Sequence, residues 1–323
     1  MSLVEVAIKS SILLNPGTKK YKEMKKKDLL FYYFAESMVN LYLEYVKKIK
    51  EDDLISALNQ HGFWVGDKTR RRFLNLINHI SKRGLSILAT CYTGDIWEAG
   101  RQLSYLLCDD RKVRNYLIEP FADSFKTEID TGVCFYRMRD SKDKVKDCWH
   151  TPYDLRKLTV NYRYSLAGFP CLYLANSVET ANKELGRLKA GNRRWVSTFC
   201  VNKTNVYFEL KILREGNLKS MDKIELVNYL LTFPIRILCS IPANNKDTFH
   251  EEYFFPQLMM YCLCVSENKN IRKFDGITYS STKQKDGINY VLPARYKGKK
   301  PPVKGQSPEL LKAFTASSPI IFK

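Results

Sequence analysis

Several features that mark large protein classes are missing from this chain. It has no run of about 18 consecutive apolar residues, the length a membrane-spanning helix needs. The richest stretch, Phe254 to Val265, is shorter and carries Pro256 and Gln257. A secretory pattern is also missing, because Glu5 precedes only the short apolar patch Ile12 to Leu14. A cytosolic protein without membrane association is expected. Histidine is scarce: His61, His79, His150 and His250 stand far apart, and no H-E-x-x-H occurs, so no metal site is expected. The 9 cysteines are odd in number and irregular in spacing, with no C-x-x-C, and read as reduced, mostly buried thiols. A Gly-rich dinucleotide loop is not evident, and regular βαβ alternation is absent, which disfavours a Rossmann sheet. Acid is in short supply too. Asp plus Glu is 34 against 53 Lys plus Arg, a net charge of +19 that favours polyanionic partners.

What remains is globular: 323 residues, 45% of them hydrophobic, a length that favours two domains. The first third reads as helical. Leu29 to Val46, Asp53 to Leu58, Arg71 to Ile80 and Asp95 to Leu107 carry apolar residues at three- and four-residue spacing. Asp95 is placed to cap its helix, with Glu98 closing a capping box. Near Thr131 the texture changes. Strand composition appears at Val133 to Arg139, Thr159 to Tyr164, Cys171 to Ala175, Trp195 to Val201, Val206 to Leu210, Gly276 to Tyr279 and Asn289 to Leu292. Helical patches at Val178 to Lys189, Asp222 to Leu231 and Glu251 to Val265 lie between them. The expectation is an α+β protein: a helical accessory domain over 1–127 and a mixed domain over 128–323 that ends in a Lys-, Gly- and Pro-rich tail.

Two N-terminal features invite functional readings. The run Lys19 to Lys27, interleaved with Tyr21 and Met24, is a candidate contact for nucleic acid or an acidic protein, although basic runs usually form a solvated face. His79 follows Arg72 by seven positions on a predicted helix, loosely resembling the Arg-and-His pair of HEPN ribonucleases. Any such pair shares a helix face, so the first domain is read as HEPN-like without catalysis.

The most informative stretch runs from Asn161 to Glu184. It reads as strand, Gly168-Phe169-Pro170 turn, strand, cap and helix, with Asn176 as cap and Glu179 closing its box. Tyr173 falls on a strand, Arg163 on the strand before it and Glu184 on the helix after it, an order that lets the three converge on one cleft. The sequence here resembles the RES domain family of bacterial toxins. Arg163, Tyr173 and Glu184 match the family pattern at offsets of ten and eleven residues. Phe135 to Arg139 resembles its opening strand, and Trp149-His150-Thr151-Pro152-Tyr153 its "FHxPF" segment. Phe274 to Ser281 resembles the late "DGI-Y-S" strand, and Gly287 to Leu292 the closing one. The chain departs from the pattern at Ser280, where many members have Pro, and in the polar Ala181-Asn182-Lys183 before Glu184.

The resemblance implies an ADP-ribosyltransferase-like fold and NAD as substrate, with no metal. Breaking the nicotinamide–ribose bond builds positive charge on the ribose, and Glu184 is the candidate carboxylate to stabilise it. Arg163 is the candidate fork for the pyrophosphate, with Arg137 second. Tyr173 is expected to pack its aromatic face against the nicotinamide or to donate its hydroxyl nearby, and Ser281 to act as a polar positioner. The activity implied is NAD depletion, by hydrolysis or phosphorolysis, by a toxin or defence effector. The alternatives are mono-ADP-ribosylation of a protein, and a nucleic-acid-binding regulator with an inactive RES-like domain. Expected partners are a cognate antitoxin or regulatory protein, nucleic acid at the basic run, and further copies of the chain. Cys148 and His150, two apart, lack a visible orienting partner for nucleophilic work and read as structural.

Overall fold

The computed structural model describes the chain except for residues 28–29, 60–65, 67, 115, 118, 244–249, 297–302 and 323, and except for the side chains of 25–27. His61, the side chains that end the basic run and part of the Lys-rich tail therefore lie outside the described residues. In chain order come helices α1 (Leu3–Leu13), α2 (Lys19–Lys27), α3 (Phe31–Val46), α4 (Glu51–Asn59), α5 (Thr69–Tyr92), α6 (Ile96–Cys108) and α7 (Arg111–Arg114). Strands β1 (Lys126–Ile129), β2 (Cys134–Ser141) and β3 (Cys171–Ala175) follow, then α8 (Val178–Leu185), β4 (Arg193–Val201) and β5 (Asn205–Glu209). Helices α9 (Glu215–Ser220), α10 (Lys223–Ser240), α11 (Phe254–Val265) and α12 (Lys269–Arg272) come next. The chain closes with β6 (Gly276–Ser280), β7 (Ile288–Pro293), α13 (Pro308–Ala313), β8 (Phe314–Ala316) and β9 (Ile320–Ile321).

The chain divides into two units that first part close to the expected boundary, but each is built from two segments where one was expected. The helical unit is Met1–Phe125 together with Ile212–Met259, and the sheet unit is Lys126–Lys211 together with Met260–Lys323. The reason is α10. It is buried on every side from Leu226 to Cys239, so it needs other helices around it. Its first turn is fixed by a capping box, with Asp222 accepting from the Glu225 amide and Glu225 from the Asp222 amide. Pro234 removes the amide that would bond the carbonyl of Leu230, and the buried Tyr42 hydroxyl of α3 donates to that carbonyl instead, at 2.5 Å. At Gly84 of α5 a side chain would stand 2.9 Å from Leu238, so the glycine sets how closely α5 approaches α10. Asp95 caps α6 as expected, but Glu98 turns to Arg101 and Gln102 instead of closing the box.

The sheet unit is built on one sheet in the order β1-β5-β6-β7-β3-β2-β4-β8, with β9 also on β4. Every pairing is antiparallel except β5 with β6. One face buries Phe135, Leu172, Leu174, Phe199, Tyr290 and Leu292 beneath α13 residues Leu310 and Ala313. On the other face, Met138, Ala175 and Val196 receive Ala181 and Val178 of α8. The cysteines depart from expectation. Cys134 and Cys200, directly opposite across β2 and β4, form a disulfide, whereas the other seven are free thiols. Among the described residues no helix is long and apolar enough to cross a membrane.

Candidate functional site

Strand alternation assembles the site. Tyr173 lies opposite Val291, Ala175 opposite Asn289, and Asn289 opposite Tyr279 on its other side. Successive strand residues point to opposite faces, so Tyr173, Ala175, Asn289 and Tyr279 share the α8 face of the sheet. Tyr173 and Asn289 are diagonal neighbours there, roughly 7–8 Å apart at the backbone.

Arg163 is not on a strand. Tyr162 and Ser165 exchange backbone hydrogen bonds of 2.9 and 3.2 Å, which makes Arg163 and Tyr164 the two-residue tip of a tight turn. The β-rich composition of Thr159 to Tyr164 misled because the segment closes on itself and finds no ladder partner. The turn docks on the α8 face. The Tyr162 ring meets the Tyr173 ring edge-on with centroids 5.7 Å apart, and the buried Tyr164 ring lies 4.7 Å from that of Tyr279. Ser165 and the Tyr173 hydroxyl share a 2.5 Å hydrogen bond. Burial pushes the Tyr173 phenol well above its ordinary pKa, so it stays neutral. With its hydroxyl engaged, the ring is what Tyr173 offers to a ligand.

Glu184 reaches the same face from the last turn of α8. The helix starts at Ser177, whose hydroxyl accepts from the Thr180 amide at 3.1 Å. Asn176, the expected cap, is used elsewhere: its side-chain oxygen accepts from the Ile288 amide at 2.9 Å and from the Thr180 hydroxyl at 3.1 Å, tying α8 to β7. One carboxylate oxygen of Glu184, Oε1, accepts from the Ser281 hydroxyl and from the Asn289 amide, both at 2.6 Å. Among the described residues the nearest cation to the other oxygen, Oε2, in an ion pair is Lys283 at 4.0 Å, whose Nζ also donates to the Glu184 carbonyl at 2.7 Å.

Ser281 is therefore turned toward protein. Its hydroxyl donates to Glu184 and accepts from the Lys283 and Gln284 amides at 3.1 and 3.0 Å. Arg137 fills the gap where β2, paired to β3 only at Tyr136 with Ala175, parts from it. Its guanidinium donates to the Tyr173 carbonyl at 3.1 Å, and burial, with Arg139 beside it, pushes its pKa down to about 10, still charged at neutral pH. The structure thus brings Tyr173, Glu184, Ser281 and the Arg163 turn over one face, and gives Arg137 the job of holding the Tyr173 backbone. Sequence reading missed Asn289, Ser165 and Lys283. For Asn289 a signal existed: it is a polar residue inside the apolar strand Ile288 to Leu292, on the opposite alternation from Tyr290 and Leu292.

The other candidates have structural partners. His150 is fully buried; its Nε2 accepts from the Ser307 amide at 2.8 Å, so its Nδ1 carries the proton and donates to the Thr151 carbonyl at 2.7 Å. Burial lowers its pKa to about 4. His79 meets the buried Asp110 at 2.8 Å, a tie from α5 to the segment after α6. In α2, Tyr21 is buried against Phe34 while Lys19, Lys20 and Lys22 are exposed, the pattern of a solvated basic face.

Against known proteins, the chain is 31% identical over 186 residues to "Putative toxin YopC" of Bacillus subtilis (strain 168), covering 50% of this chain and 41% of that one. The chain thus spans about two fifths of that relative's length. No protein-family model and no solved structure matches.

Proposed function

We propose that the sheet unit cleaves the nicotinamide–ribose bond of NAD and that the chain acts as a toxin by depleting it. The clamped Glu184 carboxylate carries this reading. It is held by Ser281 and Asn289 on Oε1, beside an aromatic floor of Tyr173 and Tyr279 and on the face where the Arg163 turn docks. The similarity to a protein named as a toxin supports the biological half of the proposal.

In the reaction, the C–N bond to nicotinamide breaks and its electron pair leaves with the base. Positive charge gathers on the ribose carbon and ring oxygen. A carboxylate fixed before the reaction begins stabilises that charge without reorganising. The Arg163 guanidinium binds the pyrophosphate, where a planar fork matches paired oxygens. The Tyr173 ring packs against the nicotinamide. Water completes the reaction by adding to the ribose carbon and releasing a proton.

Nicotinamide release by the purified protein tests this. Glu184→Gln keeps the shape and removes the charge, and is expected to lower the rate by about 10²–10³-fold. Arg163→Ala is expected to raise KM for NAD more than it lowers kcat. Wild-type-like release from a folded Glu184→Gln variant overturns the assignment. Label transferred from NAD to protein, in place of free ADP-ribose, redirects it to a protein acceptor.

A further inference from the structure

We propose that Asn289 is a positioning residue, whose amide rotates the Glu184 carboxylate so that Oε2, and not Oε1, meets the substrate ribose; this deepens, and rests on, the NAD-cleaving reading. The two oxygens have unequal surroundings. Oε1 takes both strong donors, the Ser281 hydroxyl and the Asn289 amide at 2.6 Å each, whereas among the described residues the cation that faces Oε2 is Lys283, at 4.0 Å. A carboxylate accepts through both oxygens, and a hydrogen bond to charge is about twice as strong as a neutral one. Two such bonds on one oxygen fix the plane of the group and leave the lone pairs of the second for a ligand.

The two donors are not equivalent. Ser281 also receives the Lys283 and Gln284 amides, so its loss loosens the loop after β6 together with the carboxylate. Asn289 has a narrower task. It is 5% exposed, the second residue of β7, with β3 on one side and β6 on the other. Its strand neighbour on β3 is Ala175, a residue small enough to leave the amide room to reach α8. An ionised carboxylate accepts and cannot donate, which fixes the amide with its NH₂ toward Glu184. Nothing about strand stability calls for Asn at this position, since its neighbours Ile288, Tyr290, Val291 and Leu292 are apolar or aromatic.

The test compares Asn289→Ala, Asn289→Ser and wild type in the full chain. Asn289→Ala is expected to lower kcat for nicotinamide release about 10- to 100-fold, with KM for NAD within about twofold. Asn289→Ser, which keeps a donor, is expected to recover part of that loss. A second measurement follows the side-chain carboxylate ¹³C resonance of Glu184, assigned by its disappearance in Glu184→Gln. It is expected to move in Asn289→Ala and to return toward its wild-type place in Asn289→Ser. An unmoved resonance, or unchanged kcat in a folded Asn289→Ala, overturns the positioning role. If wild type releases no nicotinamide, the enzymatic reading fails by itself, and a moved resonance then leaves the amide clamp standing without it.

Discussion

At the scale of single residues, the site depends on atoms that are not there. A side chain on Gly276, the first residue of β6, would stand 2.3 Å from the carbonyl oxygen of Val291 and 3.1 Å from Leu292. A backbone carbonyl in a sheet cannot step aside. Gly276→Ala is therefore expected to prise β6 from β7 and to cost roughly 1–3 kcal/mol or more, read as a lower urea midpoint. Gly287 is crowded differently. A Cβ there would lie 2.9 Å from both Ser281 Cβ and Thr180 Cγ2, so Gly287→Ala is expected to push Ser281 off Glu184 and to reduce activity more than stability. Glu184 and Tyr173 were legible because helix and strand spacing, joined to the family resemblance, fixes which face they present. Asn289 and Ser165 were not. A polar residue on a half-buried strand declares itself only once its cross-strand neighbours and the helix above them are known.

At the scale of elements, strands β2 to β7 were read nearly in place, as were most helices before them, and β1 was missed. Errors fell where tertiary contacts override composition. Thr159 to Tyr164 has strand residues but forms a turn, and the Lys-rich tail continues into α13, β8 and β9. Those last elements lie too far in sequence from their partners on β4 for any local pattern to announce them. His150 shows what one long-range tie does. Only its neutral form satisfies both ring nitrogens, because protonation would aim an N–H at the amide of Ser307, the residue whose hydroxyl caps α13. With a folded pKa of about 4 against an ordinary 6.5, the unfolded chain takes up the proton first as pH falls. The stability His150 contributes is then full above pH 6.5, declines between 6.5 and 4, and is flat below, with an upper bound of roughly 3 kcal/mol. Urea midpoints across that range are expected to follow this slope in wild type and to lose much of it in His150→Gln.

At the scale of the whole chain, the sequence announced two kinds of structure but not that each is built from two separate segments. Strand and helix patches between Thr131 and Pro293 looked like a single mixed domain, because periodicity reports what an element is and not which core receives it. The apolar circumference of α10 was the hint, since a helix buried on all sides cannot lie on one face of a sheet. A fragment ending at residue 127 lacks α10 and leaves apolar surfaces of α3 and α5 uncovered. It is expected to lose fixed tertiary packing while keeping helix, seen as helical far-ultraviolet dichroism with a weak near-ultraviolet signal. Restoring 212–259 through a short linker is expected to recover cooperative unfolding.

The bonds from Ser281 and Asn289 to Glu184 span 97 and 105 residues of sequence. A ribosome therefore makes the acid long before it makes the groups that aim it. On the reading proposed above, a nascent chain that has not yet reached Asn289 holds the carboxylate without both of the groups that aim it, so the working arrangement forms only after translation of β7.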